Sequence, residues 1–454
     1  MTGGLVTDLY ELNMAASYLR RGMTDAATFS LFVRRPPANR GFLVAAGLDD
    51  CLSYLESFRF GAAELDYLGR HLGYDRDLLR ALERLRFTGD VWALPEGRVA
   101  LPGEPIIEVT APIAEAQLVE TVLLNHVTFQ TTVATKAVRC VLAAGKARVV
   151  DFSMRRTHGI EAAMTVARVS AIAGFAATSN VEAARRYGLS AVGTMAHSYV
   201  EAFEDDEAAF AAFAADLPAI ARARPGRATF LVDTYDTVAG VRAAVAVARR
   251  MGLGDRVGVR LDSGDLLELS LAARRILDES GMPGAEILAS GGLDEFSIAD
   301  LVDARAPIDA YAVGTRMGVS ADAPYLDSAY KLVAYGDRPV MKLSTGKVTL
   351  PGAKQVFRGP GGDVIGLRDE PPPPGCRPLL IEVMTGGRRA GPPEDLGVTR
   401  ARCAADVAGL PEAARALRAP VGPPVRHSEA LDRLTAEVGA RLRAGSVRRR
   451  PWSG

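Results

Sequence analysis

The chain has 454 residues, 48% of them apolar, and its 54 lysines and arginines are balanced by 54 aspartates and glutamates. This length can bury a large core and makes two domains the default, while the balanced charge removes the electrostatic footprint of a nucleic-acid scaffold. Cys51, Cys140, Cys376 and Cys403 are scattered without C-x-x-C spacing, which argues against a zinc site and suits reduced thiols in a cytoplasmic protein.

In chain order, residues 5–22 read as a helix with Leu9, Leu12, Ala16 and Leu19 near one face. The N-terminus, with Asp8 and Glu11, lacks the basic flank and apolar core of a signal peptide. Phe29–Val33 and Gly41–Ala45 are expected strands around a proline turn. Leu48–Leu55, Ala62–Leu68 and Arg76–Leu85 are expected helices, and 90–112 alternates as strands do. Ala114–Arg139 is one long helix or two joined.

From residue 147 the rhythm becomes strand–helix. Seven strands are predicted: Arg148–Phe152, Ala176–Ser179, Ala191–Gly193, Thr229–Val232, Val257–Leu261, Ile287–Ala289 and Ala310–Val313. Helices are expected from Ile160, over Val181–Tyr187, and across 206–219 and 238–250. This is the period of β/α units, and polar residues after nearly every strand favour a barrel over an open doubly wound sheet. Beyond about 340 the pattern breaks into turns, including Lys342–Lys347 and Pro351–Gln355. The four prolines Pro371–Pro374 form an exposed stiff connector. Val356–Phe357 and Leu379–Val383 are expected to return as strands to the first domain. Charges interrupt every alanine-rich stretch too early for a membrane span, and the basic run Arg448–Arg450 belongs to a solvated tail.

The expected fold is therefore α/β: a barrel over 131–340, a mixed domain over 1–130, and a segment 341–454 that largely returns to that first domain and ends in a flexible tail.

The predicted strand ends gather polar chemistry. Arg155 and Arg156 follow the first strand, Thr194 and His197 the third, Asp233 and Asp236 the fourth, and Asp262, Ser263 and Asp265 the fifth. Ser290-Gly291-Gly292 and Gly314-Thr315 follow the last two, where barrels cradle phosphates with backbone amides. Carboxylates are poor phosphate partners, so Asp233, Asp262 and Asp265 should meet ribose hydroxyls or Mg²⁺. Arg155 and Arg156 offer planar forks to a carboxylate or diphosphate. Phe152 can stack on an aromatic ring or fill the core, and His197 can take a phosphoryl group or serve as a buried structural histidine.

At these residues the chain resembles the nicotinate phosphoribosyltransferase family. The matching stretches are Thr7–Met14 (TDLYELNM), Phe42–Leu48 (FLVAAGL), Leu123–Asn125, Ala134–Arg139 (ATKAVR), Asp151–Arg156 (DFSMRR) and Ser179–Glu182 (SNVE). They continue through Gly193–Ser198 (GTMAHS), Val232–Asp236 (VDTYD), Leu261–Asp265 (LDSGD), Ser290–Leu293 (SGGL), Ala312–Arg316 (AVGTR) and Pro351–Gln355 (PGAKQ).

The resemblance implies an irregular (β/α) barrel of the type II phosphoribosyltransferase kind, with a second mixed α/β domain built from both chain ends. The implied reaction joins nicotinate to 5-phosphoribosyl 1-pyrophosphate, giving nicotinate mononucleotide and pyrophosphate in NAD salvage. ATP hydrolysis is coupled through a phosphohistidine, which by motif position is His197. The implied cofactor is Mg²⁺, with ATP as co-substrate, and the implied assembly is a homodimer with shared sites; neither nucleic acid nor membrane is a partner.

By the same resemblance, Tyr10 comes from the partner subunit to stack on the pyridine ring opposite Phe152. Arg155 lies near ring and diphosphate, and Arg156 offers a second cation to the nicotinate carboxylate. Asp233 and Asp262 contact ribose or Mg²⁺-pyrophosphate. Ser290, Gly291, Gly292, Gly314 and Thr315 hold the 5′-phosphate, and Thr194, Ser263 and Asp265 complete the substrate contacts. Alternatives are a nicotinamide phosphoribosyltransferase and a regulatory barrel that binds phosphoribosyl ligands without turnover.

Overall fold

The structure, a computed structural model, describes residues 3–220, 227–344 and 348–447. The end of the turn predicted over Lys342–Lys347 and the basic run Arg448–Arg450 lie outside the described residues. The chain forms two compact units, 3–132 with 325–447, and 133–324 without 221–226, within the described residues.

The first unit is built on a seven-stranded sheet in the order 338–339, 328–335, 26–33, 105–112, 90–93, 381–385, 388–389. The pairings are antiparallel throughout. The strand at 381–385 comes from the far end of the sequence and pairs Ile381 with Ala93. Its core holds Phe29 stacked on Tyr330 at 4.7 Å between ring centroids, and the Tyr330 hydroxyl donates to the Ala116 carbonyl at 2.8 Å. A four-stranded sheet, ordered 377–378, 354–359, 362–367, 425–427, belongs to the same unit.

The PGAKQ stretch lies here, and its polar side chains turn inward. Gln355 ties the backbone of Leu380 from both ends of its amide, accepting from the N–H at 2.8 Å and donating to the carbonyl at 3.0 Å. Lys354 is buried against Glu108, Nζ to Oε1 3.2 Å, and Glu108 also meets Arg368 and Ser30. Gln355, Lys354 and Glu108 have thus found partners for the polar groups they bury, while Arg368 Nε is buried without one among the described residues.

The second unit is a curled parallel sheet in the order 177–178, 148–151, 310–313, 286–289, 257–261, 228–231. Its strands are short buried runs such as Val257–Leu261, all five residues of which are buried, as expected of parallel strands covered on both faces. Helices 160–173, 181–187, 206–220, 237–250, 266–279 and 295–303 alternate with them.

Six of the seven predicted barrel strands form ladders. The exception is Ala191–Gly193, which makes only an isolated parallel bridge from Ala191 to Thr178, held by Thr178 N–H to Ser190 O (3.0 Å) and Val192 N–H to Thr178 O (2.9 Å). The segment leaves the sheet after that one pair and runs on as the loop that carries His197. The barrel is irregular at this point. After the last strand the helical stretch is a single turn, Thr315–Gly318. Among the described residues no helix is long and apolar enough to cross a membrane.

Candidate active site in the barrel mouth

Parallel strands present their carboxyl ends to one side of the sheet, so the turns after them converge there. In the second unit they surround a cavity of about 370 Å³ lined by Phe152, Arg155, Ser179, Gly193, Thr194, Met195, His197, Arg260 and Asp262, among others. Strand-end residues far apart in sequence therefore share one wall.

At the floor of this wall is Arg260, which reasoning from sequence did not single out. It sits inside the otherwise apolar strand Val257–Leu261 and is buried. Its guanidinium donates Nε to Ser290 Oγ (2.8 Å), Nη2 to Asp262 Oδ1 (2.7 Å) and Nη1 to Thr194 Oγ1 (3.0 Å). It also lies 5.5 Å from the centroid of the Phe152 ring. A fixed planar fork is suited to this task, since each donor meets a separate acceptor without rearrangement. One cation thus joins the loops after Ala191–Gly193, 257–261 and 286–289. The detectable signal was a lone charge in the run VGVRL.

Asp262 receives, besides Arg260, the Ser290 hydroxyl at 2.5 Å. Burial alone would push its carboxyl up. The Ser290 and Arg260 hydrogen bonds, the Arg260 charge and nearby His197 outweigh it and hold the group below the usual carboxylate range. It is therefore an anion at neutral pH, half-buried and facing the cavity.

Asp233 Oδ2 accepts from the Asp262 N–H (2.9 Å) and the Ser263 hydroxyl (2.7 Å). Its Oδ1 is buried without a hydrogen-bond partner among the described residues. An orphaned carboxylate oxygen in a site of this kind is suited to a ribose hydroxyl or a hard cation.

His197 begins the short helix His197–Glu201. Its Nδ1 lies 3.2 Å from Thr234 Oγ1, and its Nε2 faces Asp262 Oδ2 at 3.9 Å, longer than a hydrogen bond. In the tautomer that donates from Nδ1 to Thr234, Nε2 presents a lone pair to the cavity. Arg155 and Arg156 are exposed and form no ion pair among the described residues. Their charges remain available to an anion.

Asp265 and Asp236, which also follow strands, act as helix caps. Asp265 Oδ1 accepts from Leu267 N–H (3.0 Å) and Glu268 N–H (3.1 Å), and Asp236 Oδ1 from Ala239 N–H (2.7 Å). Asp151 is buried below Phe152, taking the Ser153 N–H at 2.9 Å and the Thr178 hydroxyl at 2.7 Å, with burial raising its pKa.

The glycine turns are sterically required. Gly291 has φ +92°, and a Cβ there would fall 1.9 Å from the Asp262 carbonyl oxygen. A Cβ at Gly314 would fall 2.9 Å from the Phe152 carbonyl oxygen. At Gly291 and Gly314 these turns therefore pack backbone against backbone with no room for a side chain. Tyr10 belongs to the other unit, on helix Leu9–Arg20, where it is about half exposed. Burial together with Glu120 and Glu11 pushes its phenol pKa up, so it stays neutral.

The chain matches two family models, the nicotinate phosphoribosyltransferase N-terminal domain over residues 5–128 and the nicotinate phosphoribosyltransferase family over 147–302. It is 50% identical to a nicotinate phosphoribosyltransferase of Mycobacterium tuberculosis over 394 residues, covering 85% of this chain and 83% of that protein. It is 43% identical to the Bacillus subtilis nicotinate phosphoribosyltransferase, covering 81% and 76% of the two chains. The fold is similar to the crystal structure of human nicotinic acid phosphoribosyltransferase, with TM-score 0.81 and 30% identity over 95% of this chain and 99% of that one. The chain belongs to the nicotinate phosphoribosyltransferase family.

Proposed function

We propose that the barrel mouth condenses nicotinate with 5-phosphoribosyl 1-pyrophosphate, releasing nicotinate mononucleotide and pyrophosphate, with ATP hydrolysis coupled through phosphorylated His197. The observation that carries this reading is the shared wall of the cavity, where Phe152, His197, Arg260 and Asp262 meet. An aromatic face, a nucleophilic nitrogen and a paired carboxylate are thereby set beside unpaired arginine charge.

Phe152 provides one face for the pyridine ring. Arg155 and Arg156 supply charge for the nicotinate carboxylate and the departing diphosphate. The pyridine nitrogen is already nucleophilic, so no general base is required, and holding it against the anomeric carbon is a proximity effect. As the anomeric C–O bond breaks, positive charge grows on the ribose and negative charge on pyrophosphate. The Asp262 carboxylate and Asp233 stabilise the first, and Arg155 the second. The turns at Ser290–Gly292 and Gly314–Thr315 hold the 5′-phosphate with the backbone N–H groups of their glycines and Thr315, the Ser290 N–H being spent on the Leu261 carbonyl at 2.8 Å, while Thr194, Ser263 and Asp265 border the ribosyl region.

Asp233 Oδ1 and Asp262 are the groups that would hold Mg²⁺ together with the donor's own phosphates, since the described residues contain no cluster of three or more acidic, histidine or cysteine side chains able to hold a metal alone. Bound there, Mg²⁺ would neutralise the departing pyrophosphate. In the ATP half-reaction a bond forms from His197 to the γ-phosphorus as the bond to the ADP oxygen breaks. The phosphoryl group adds negative charge beside Asp262 and organises the donor site until water removes it as phosphate.

We assign Tyr10 to the opposite face of the pyridine ring in a second copy's site, which makes the working unit a homodimer. The assembly, the Mg²⁺ and ATP requirements and a cytoplasmic location rest on the same reading.

Pyrophosphate release, assayed with nicotinate and nicotinamide, with and without ATP, tests the proposal. Preference for nicotinamide, or no nucleotide with either base, would overturn it. His197→Ala should abolish acid-labile phosphorylation and ATP enhancement while preserving the fold. Phosphate retained on that variant would remove His197 from the role.

A further inference from the structure

Strands 286–289 and 310–313 are neighbours, pairing Leu288 with Ala310 and Ala289 with Tyr311. The two glycine turns that follow them therefore lie side by side. Asp294 ends the first turn and caps helix 295–303. Its Oδ1 accepts from Phe296 N–H (3.1 Å) and Ser297 N–H (3.0 Å), and Ser297 Oγ accepts in return from Asp294 N–H at 2.9 Å. Its other oxygen, Oδ2, reaches the second turn and accepts from Arg316 Nη1 at 3.0 Å. One carboxylate thus starts the helix behind one glycine turn and grips the residue that follows the other.

The surroundings hold this carboxylate in place and charged. Glu295, next in sequence, is buried against Lys136 and against Arg139 Nε at 2.9 Å. Burial would raise the Asp294 pKa, but the Ser297 N–H, the Arg316 hydrogen bond and the charges of Lys136 and Arg316 keep it below the usual carboxylate range. The Asp294 side chain is 13% exposed and that of Arg316 54%.

We propose that the Asp294–Arg316 pair is a clasp that sets the spacing of the two glycine turns, making Arg316 a positioning residue for the donor phosphate and not one of its ligands. The inference rests on the placement of the 5′-phosphate at these turns. An ion pair this exposed contributes little to global stability, so its effect falls on the local geometry of the two turns. If Arg316 instead bound phosphate directly, Asp294 would compete for it, and removing the Asp294 charge would strengthen binding. The two roles predict opposite signs.

The test is calorimetric titration of the full chain with ribose 5-phosphate, alongside steady-state kinetics in the donor. Asp294→Asn keeps a capping oxygen while removing the charge, and Arg316→Lys keeps the charge while losing the fork. Asp294→Asn and Arg316→Gln should each weaken ribose 5-phosphate binding and raise donor KM by up to about fivefold, the scale of one exposed pair. kcat should stay within about twofold. The double variant should be no worse than either single one, because both remove the same interaction, and Arg316→Lys should recover most of the loss. Tighter binding in Asp294→Asn, additive losses in the double variant, or unchanged binding in both single variants would overturn the clasp. If the unsubstituted protein fails to bind ribose 5-phosphate, the phosphate placement falls and the clasp with it, an outcome distinct from the other three.

Discussion

Two charge networks, one in each unit, use the same residue types for opposite purposes. In the first unit Glu108 is fully buried among Lys354, Arg368 and Ser30, and Lys354 spends its remaining donors on the carbonyls of Gly352 (2.7 Å) and Leu350 (3.3 Å). In the second unit Arg260 is equally committed, yet its partners Thr194 and Asp262 border a cavity, and Asp233 beside them has an oxygen to spare. A closed network holds strands together; one that borders a cavity and leaves an acceptor unused can bind. Both PGAKQ and LDSGD are among the stretches that resemble the family.

The sharpest way to break this comparison is to remove the cation from each network. Lys354→Met should cost about 1.5–3 kcal/mol of stability, because Glu108 loses one of its two cations and keeps Arg368, while molecules that still fold keep their kcat. Denaturant melts and kinetics on the folded fraction measure the two effects separately. Loss of turnover with unchanged stability would give that network a functional role. Arg260→Met should show the reverse emphasis, with kcat/KM falling on the order of 10²–10³-fold and a smaller change in melting. A fully active Arg260→Met protein would reduce the hub to packing.

Gly291→Ala comes next. The new methyl must displace the Asp262 carbonyl and adopt a positive φ, so a cost of about 1–3 kcal/mol is expected, together with weakened ribose 5-phosphate binding. Gly292→Ala, with open space around its Cβ, should affect stability less. Equal losses of stability in the two would show that backbone conformation, not the close approach, decides the turn.

The smallest effects are pH slopes of opposite sign. Asp262 has a depressed folded pKa, so its contribution is fully present above the unfolded value of about 3.9 and fades as pH falls through the lower folded value. The stability difference between the protein and Asp262→Asn should be flat above about pH 5 and shrink in acid. Glu104, in the first unit, is raised by burial and then by Asp363. There the folded state holds the proton more tightly, so stability declines as pH rises above about 4.3. Glu104→Gln should therefore gain on the parent across that rise and match it below. Parallel slopes for the two pairs would contradict the opposite shifts of these two carboxyls.

Much of the second unit was legible from local patterns. Val257–Leu261 and Ala310–Val313 are apolar runs bounded by turn residues, and both form with the expected bounds. Helix Val181–Tyr187 follows Asn180, whose side chain caps it at 3.0 Å from the Ala183 N–H. Ala191–Gly193 was not legible in the same way, because a three-residue run cannot reveal whether a neighbour will extend its ladder. The chemistry divided similarly. Strand-end motifs brought Asp233, Asp262, His197 and Arg155 into view, but Asp265 Oδ1 is committed to backbone N–H groups as a cap. Arg260 stayed hidden because a strand-interior arginine gains its linking role from Ser290 and Thr194, 30 and 66 positions away in sequence, on other strand ends.

The repeat of β/α units and the motif set that marks the family can be read before any folding, because both are written in local periodicity and short contiguous stretches. Which polar residues are spent and which remain free emerges from packing alone. That depends on hydrogen-bond partners brought together by strand order: Lys354 is consumed by Glu108, while Asp233 keeps one carboxylate oxygen unpaired among the described residues.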